Sequence, residues 1–160
     1  MKLYTINHKS GFRTAATALP RSEKHHIFTT CWQNKKYEEA LNNFPDQWIW
    51  LDGEQKSEQV GDIIGTTFSG MVFSERAFSI ITNLFPEEVK LHHRFTIDKT
   101  ILYWIYPHKI EYGNIKKTKL NLFSSSPMNT KYASQKFVDV CIKNNLSGRD
   151  FVEVQTFKKN

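Results

Sequence analysis

The segment Met71–Ile97, MVFSERAFSIITNLFPEEVKLHHRFTI, constrains the fold more than any other part of the chain. Ser74 stands where a side-chain oxygen can accept from the N–H groups that open a helix, and Glu75 suits that helix's positive end. Ala77, Phe78, Ile81, Leu84 and Phe85 then fall at helical spacing and form one apolar stripe. Pro86 cannot continue the helix. Val89, Leu91, His93, Phe95 and Ile97 alternate as one face of a strand. The pattern is a strand end, a capped helix, a stop and a strand.

The same pattern returns. Ser74, Ala77, Phe78 and Ile81 correspond, sixty positions later, to Ser134, Phe137, Val138 and Cys141. Gly148 is read as the left-handed stop of this second helix, and FVEVQTF (151–157) as the strand that follows it. Two copies make an echo, not a solenoid. Elsewhere Leu3, Tyr4 and Ile6 suggest a first strand, and residues 10–24 a surface loop. HIFTTCW (26–32) is β-rich and reads as a strand, KKYEEALNNF (35–44) as a helix stopped by Pro45, and QWIWL (47–51) as a strand closed by Asp52-Gly53. TILYWIY (100–106) is the most apolar strand, expected in the middle of a sheet. Residues 109–114 and 116–123 read as a strand pair around Gly113-Asn114, and 124–130 as a loop. The expectation is one α+β domain over residues 1–160, a mostly antiparallel sheet packed against two or three helices.

At 160 residues the chain can bury a sizeable core. Its apolar runs are too short to span a bilayer, and MKLYTINHKS lacks a secretory h-region, so the expectation is a cytoplasmic protein with no membrane partner. Cys31 and Cys141 fit a reducing compartment. The net charge of +6 is uneven: residues 1–80 hold nine basic and nine acidic side chains, residues 81–160 thirteen and seven. Those charges are scattered along element faces, so a solvated surface is preferred over a nucleic-acid site.

Little in the chain has catalytic or metal-binding spacing. His25-His26 and His92-His93, read on strands, each offer at most one ligand to a given site, and no Cys or carboxylate stands at finger spacing. Cys141 lies on an apolar stripe, and Cys31 has no base assigned to it. Ser74 and Ser134 are caps, outside any GxSxG turn. Gly61, Gly65 and Gly70 are too loosely spaced for a phosphate loop. Asp46, Asp52, Glu54, Glu58 and Asp62 lack the order of a calcium loop and read as solvated. No catalytic residue, cofactor or metal is expected. FPDQWIWLDG remains: Trp48 and Trp50 share one strand face, and beside Asp52 and Glu54 they are a candidate protein-binding anchor, if they do not simply pack.

The paired blocks resemble a family of immunity proteins from bacterial polymorphic-toxin systems. One block is an aspartate lead-in followed by a V-S-E-R helix start, here Asp62-Ile63-Ile64 and Val72-Phe73-Ser74-Glu75-Arg76 with a Phe inserted. The other is S-x-x-F followed by L-S-G-x-x-F-x-E-V, here Ser134–Phe137 and Leu146–Val154. The match covers about residues 60–157 and leaves 1–59 as a variable N-terminal part. The resemblance implies a non-enzymatic protein that neutralises a cognate toxin by stoichiometric occlusion. It does not say which face binds. The basic charge points toward an acidic or neutral toxin surface, although Asp46 to Asp62 form a local acidic stretch. A small enzyme and a nucleic-acid-binding domain using the basic later half are the alternatives.

Overall fold

Ser74 and Ser134 both start helices. Each arrives in an extended conformation, and its hydroxyl accepts the N–H three residues on, from Ala77 at 3.1 Å and from Phe137 at 3.2 Å. The computed structural model describes residues 2–18, 22–51, 59–126 and 128–154. Its strands are β1 (Leu3–His8), β2 (Thr14–Thr17), β3 (Trp48–Leu51), β4 (Ile63–Thr66), β5 (Met71–Ser74), β6 (His92–Ile97), β7 (Thr100–Ile105), β8 (His108–Glu111), β9 (Leu122–Ser126), β10 (Lys131–Ser134) and β11 (Arg149–Glu153). The helices are α1 (Glu23–Gln33), α2 (Tyr37–Asn42), α3 (Glu75–Leu84) and α4 (Gln135–Lys143), with 3-10 turns at Pro86–Val89 and Tyr112–Lys117. The fold is α+β, with two mostly antiparallel sheets ordered β3-β2-β4-β5-β7-β6 and β8-β9-β10-β1-β11. None of the helices among the described residues is long and apolar enough to cross a membrane.

The echo of the two helices extends to whole units. In both sheets a strand runs parallel to the first arm of a hairpin, β2 beside β4 and β8 beside β9. The hairpin leads into a capped helix, and two further antiparallel strands complete the unit. Register repeats as well: Ile63 lies opposite Phe73 and Ile64 opposite Val72, as Leu122 lies opposite Ala133 and Phe123 opposite Tyr132. The last strand of the second unit comes from the other end of the chain. Leu3 of β1 pairs with Ser134 as Leu102 of β7 pairs with Ser74, and Leu3-Tyr4-Thr5-Ile6 matches Leu102-Tyr103-Trp104-Ile105 in sequence. Between its parallel strands the first unit carries α1, α2 and β3, where the second carries the turn Tyr112–Lys117.

The core has three parts. Between the sheets, α3 and α4 bury Ala77, Ile81, Phe137 and Cys141 with Phe73, Ile105 and Leu122. On the outer face of the six-stranded sheet, α1 and α2 cover Trp104, Phe68 and Phe95 with Phe28 and Ala40. On the outer face of the other sheet, Ile115 from the 3-10 turn packs with Leu3, Phe123 and Tyr132. The two units thus bury equivalent outer faces beneath unequal covers, a helical pair in one and a single turn in the other.

One polar residue ahead of each hairpin ties the units together. The Ser74 hydroxyl donates to Asp62 Oδ1 at 2.7 Å, and the Ser134 hydroxyl donates to Asn121 Oδ1 at 2.8 Å. Each then grips the segment that follows the other unit's helix. Asp62 Oδ2 accepts the backbone N–H and hydroxyl of Ser147 at 3.1 and 3.2 Å, after α4. Asn121 donates its backbone N–H and its Nδ2 to the buried Glu88 carboxylate, both at 3.0 Å, after α3. Arg76 pairs with Asp62 Oδ2 at 3.1 Å and donates to the carbonyls of Asn144 and Asn145, where the negative end of α4 favours a cation.

Several expectations are corrected. HIFTTCW is helical: Ser22 caps α1 by accepting the His25 N–H, and Phe28 and Cys31 sit three apart on its buried side. β2 lies inside the segment read as a loop, where Ala15 and Ala16 give little apolar signal. Residues 109–123 are not a hairpin, since β8 and β9 run parallel and need the intervening turn as a crossover. Ser124–Ser126 belong to β9 rather than to a loop. Val89 and Leu91 precede β6, and Leu84 is half exposed. Asn145, at φ 50°, takes the left-handed position that ends α4, with Leu146 N–H donating to Cys141 O at 2.9 Å. Gly148, at φ 102°, serves elsewhere: its Cα packs so closely on Gly61 that a Cβ on Gly61 would lie 2.7 Å away.

Candidate functional site

A wide recess lies where the inserted helices meet the junction of the two units. α1 ends at Asn34, and Lys35 turns back at φ 59° with its N–H on Trp32 O. That tight turn sets Tyr37, the first residue of α2, beside Trp32, with ring centroids 4.8 Å apart. Trp32 is only half-buried: it stacks on Phe28 at 5.3 Å and meets Tyr106 at 4.5 Å, just beyond β7. The Tyr106 N–H donates to Leu91 O at 3.0 Å, and Pro107 then turns the chain into β8. The His108 ring nitrogen Nε2 lies 3.0 Å from Glu87 O, and Lys109 Nζ sits over the Tyr106 ring at 5.7 Å.

The result is a groove of about 500 Å³ floored by Trp32, Tyr37 and Tyr106 and edged by Lys35, His108 and Lys109. Among the described residues lining it there is no carboxylate. Three half-buried rings beside two ammonium groups can take an apolar or aromatic group that carries, or sits next to, negative charge. Sequence reading could not assemble this site, because its rings come from α1, α2 and the strand after the hairpin core. Only the aromatic residues themselves were visible.

The residues singled out from sequence lie elsewhere. Trp48 and Trp50 point into the core: Trp48 stacks on Phe44 and donates its indole N–H to Pro45 O at 2.6 Å, and Trp50 faces Arg13. Burial therefore leaves neither indole on the surface as an exposed anchor, and the open face of β3 carries Ile49 and Leu51 instead. Asp52, Glu54 and Glu58 lie outside the described residues. Asp46 pairs with Lys24 at 3.0 Å, and that bond holds its carboxyl below the usual range.

Both thiols are free and buried. Burial and then the nearby Asp62 charge push Cys141 up to about 12, and burial followed by the Glu39 carboxylate also raises Cys31. A thiol so raised is a poor nucleophile. His25-His26 stand on α1, where His25 meets Phe68 edge-on at 5.1 Å, and His93 tilts against Phe44 at 4.2 Å. Among the described residues no three His, Cys, Asp or Glu side chains gather as a metal site. Compared with protein-family models, with curated proteins and with solved structures, the chain matches none.

Proposed function

We propose that this chain is an immunity-type binding protein, which neutralises a cognate bacterial toxin by covering its active or docking surface. The observation that supports this reading is what the resembling residues do. Ser74, Ser134, Asp62, Arg76 and Ser147 are spent on capping two helices and stapling two units together. With these residues engaged in the scaffold, we read the chain as acting through shape and surface. The ring-lined groove is the face we assign to the partner, and its two lysines select an acidic loop that bears an aromatic or aliphatic tip.

Co-expression with the product of a toxin-like gene, sought beside this chain's own, tests both statements. The wild-type chain restores growth, and Lys35→Glu with Lys109→Glu weakens the complex and flattens or reverses its loss with salt, because salt then screens repulsion rather than attraction. Tyr106→Ala removes a central ring and costs about 2 kcal/mol of binding. Toxicity unrelieved by the wild-type chain refutes the function. Full rescue by the charge-reversed chain keeps the function and moves the interface off this groove.

A further inference from the structure

We propose that Lys131 and Arg149 form a pocket for a doubly charged tetrahedral oxyanion, free phosphate or the terminal phosphate of a small ester. This goes beyond the partner-binding reading and uses a different cavity. The pocket lies between the two sheets, with Ile6, Lys131 and Arg149 on one side and Ile64, Thr66 and Met71 on the other. Both units contribute equivalent positions: Met71 opens β5 as Lys131 opens β10. A methionine facing a lysine across the pocket means that one unit has placed a cation where its counterpart keeps an apolar side chain.

The cations are partly buried and, among the described residues, lack a counter-charge. Arg149 lays its guanidinium against Gly65, in space that a Cβ there would occupy. Lys131 is half-buried beside it. Among the described residues neither has a carboxylate or other acceptor within bonding distance. The adjacent Asp150 is on the opposite face of β11 and pairs with Lys9 at 3.8 Å. Burial, then the like charges of Arg149 and Lys109, draw the Lys131 ammonium below its ordinary range, and burial does the same to Arg149. Two partly desolvated cations with no counter-charge are an unfavourable arrangement that an anion relieves.

Size and charge narrow the ligand. At about 140 Å³ the cavity is smaller than the roughly 300–1,000 Å³ of ordinary small-molecule sites, so it takes one compact group. A carboxylate balances one cation, whereas a phosphate near neutral pH carries up to two negative charges and three acceptor oxygens. The guanidinium fork suits two of those oxygens and the ammonium another. Thr66 Oγ accepts the Phe68 N–H at 3.0 Å, which leaves its own proton to donate into the pocket.

The test follows melting of the full chain near pH 7.5 in sodium phosphate, glycerol phosphate, acetate or sodium chloride at matched ionic strength, with phosphorus NMR titration of the wild type. Phosphate raises the melting temperature beyond chloride and acetate and broadens the phosphorus line. A matching rise with glycerol phosphate shows that esters fit, and its absence restricts the site to the free ion; both support the proposal. Lys131→Met, which restores the residue found in the other unit, melts higher than wild type in chloride and binds phosphate about tenfold or more weakly. Arg149→Gln loses the phosphate effect as well and decides the matter if Lys131→Met misfolds. No phosphate-specific shift or line broadening in the wild type overturns the proposal, as does an effect shared with acetate or undiminished in the variants.

Discussion

Asp62→Asn changes one atom at the point where the two units meet, and its cost can be worked from the bonds. Oδ1 keeps the Ser74 hydroxyl, since an amide oxygen accepts as a carboxylate does. Oδ2 becomes an NH₂ group that faces three donors, the Ser147 N–H, the Ser147 hydroxyl and the Arg76 guanidinium, instead of accepting from them. Two bonds from Ser147 to a charged oxygen are worth about 1.5 kcal/mol each at the low end. The Arg76 pair adds under about 1 kcal/mol, because that side chain is 53% exposed. The expected loss is about 3–4 kcal/mol, which lowers the urea midpoint by about 1.5–2 M at an m-value near 2 kcal/mol/M. The reciprocal change, Asn121→Asp, removes the Nδ2 donor and sets a carboxylate beside the buried Glu88. It costs a similar amount at pH 7, part of which returns in acid as the two facing carboxyls come to share a proton. Urea unfolding followed by circular dichroism measures both. An Asp62→Asn chain within about 1 kcal/mol of wild type refutes the idea that this residue joins the units.

Two further outcomes follow from buried groups. Burial, and then the His92 and Lys24 charges, hold His93 below its ordinary value near 6.5, so the unfolded chain binds a proton that the folded one resists. Its contribution is complete above pH 6.5 and falls as pH drops below that, by up to ~1.4 kcal/mol per pH unit; His93→Phe flattens this part of the stability profile. Cys31 and Cys141 should resist a thiol reagent at pH 8 in the native chain and react together on unfolding, and rapid native labelling of Cys141 contradicts its burial and raised pKa.

The parts legible in the sequence are those where local signals and tertiary packing agree. Around α3 the cap, the stripe and the proline stop all point the same way, and β5, β7 and α4 were equally plain. In α1, Ile27, Thr29 and Thr30 favour a strand locally, while the burial of Phe28 beneath Trp32 and against Trp104 decides for a helix. β1 shows the limit of local reading. Its sequence marks a strand, but its role as the last strand of a unit begun at His108 depends on pairing across nearly the whole chain. The groove and the cation pocket were hidden for the same reason, since Trp32 and Tyr106, or Met71 and Lys131, meet only through the arrangement of the two units.

Light scattering during gel filtration of the purified chain mixed with the product of any toxin-like gene found beside its own tests the proposed function most directly. The account predicts one peak at the summed mass of the two chains in equal number, with the toxin's activity lost at the same ratio. Two separate peaks, with the toxin fully active at excess of this chain, contradict it.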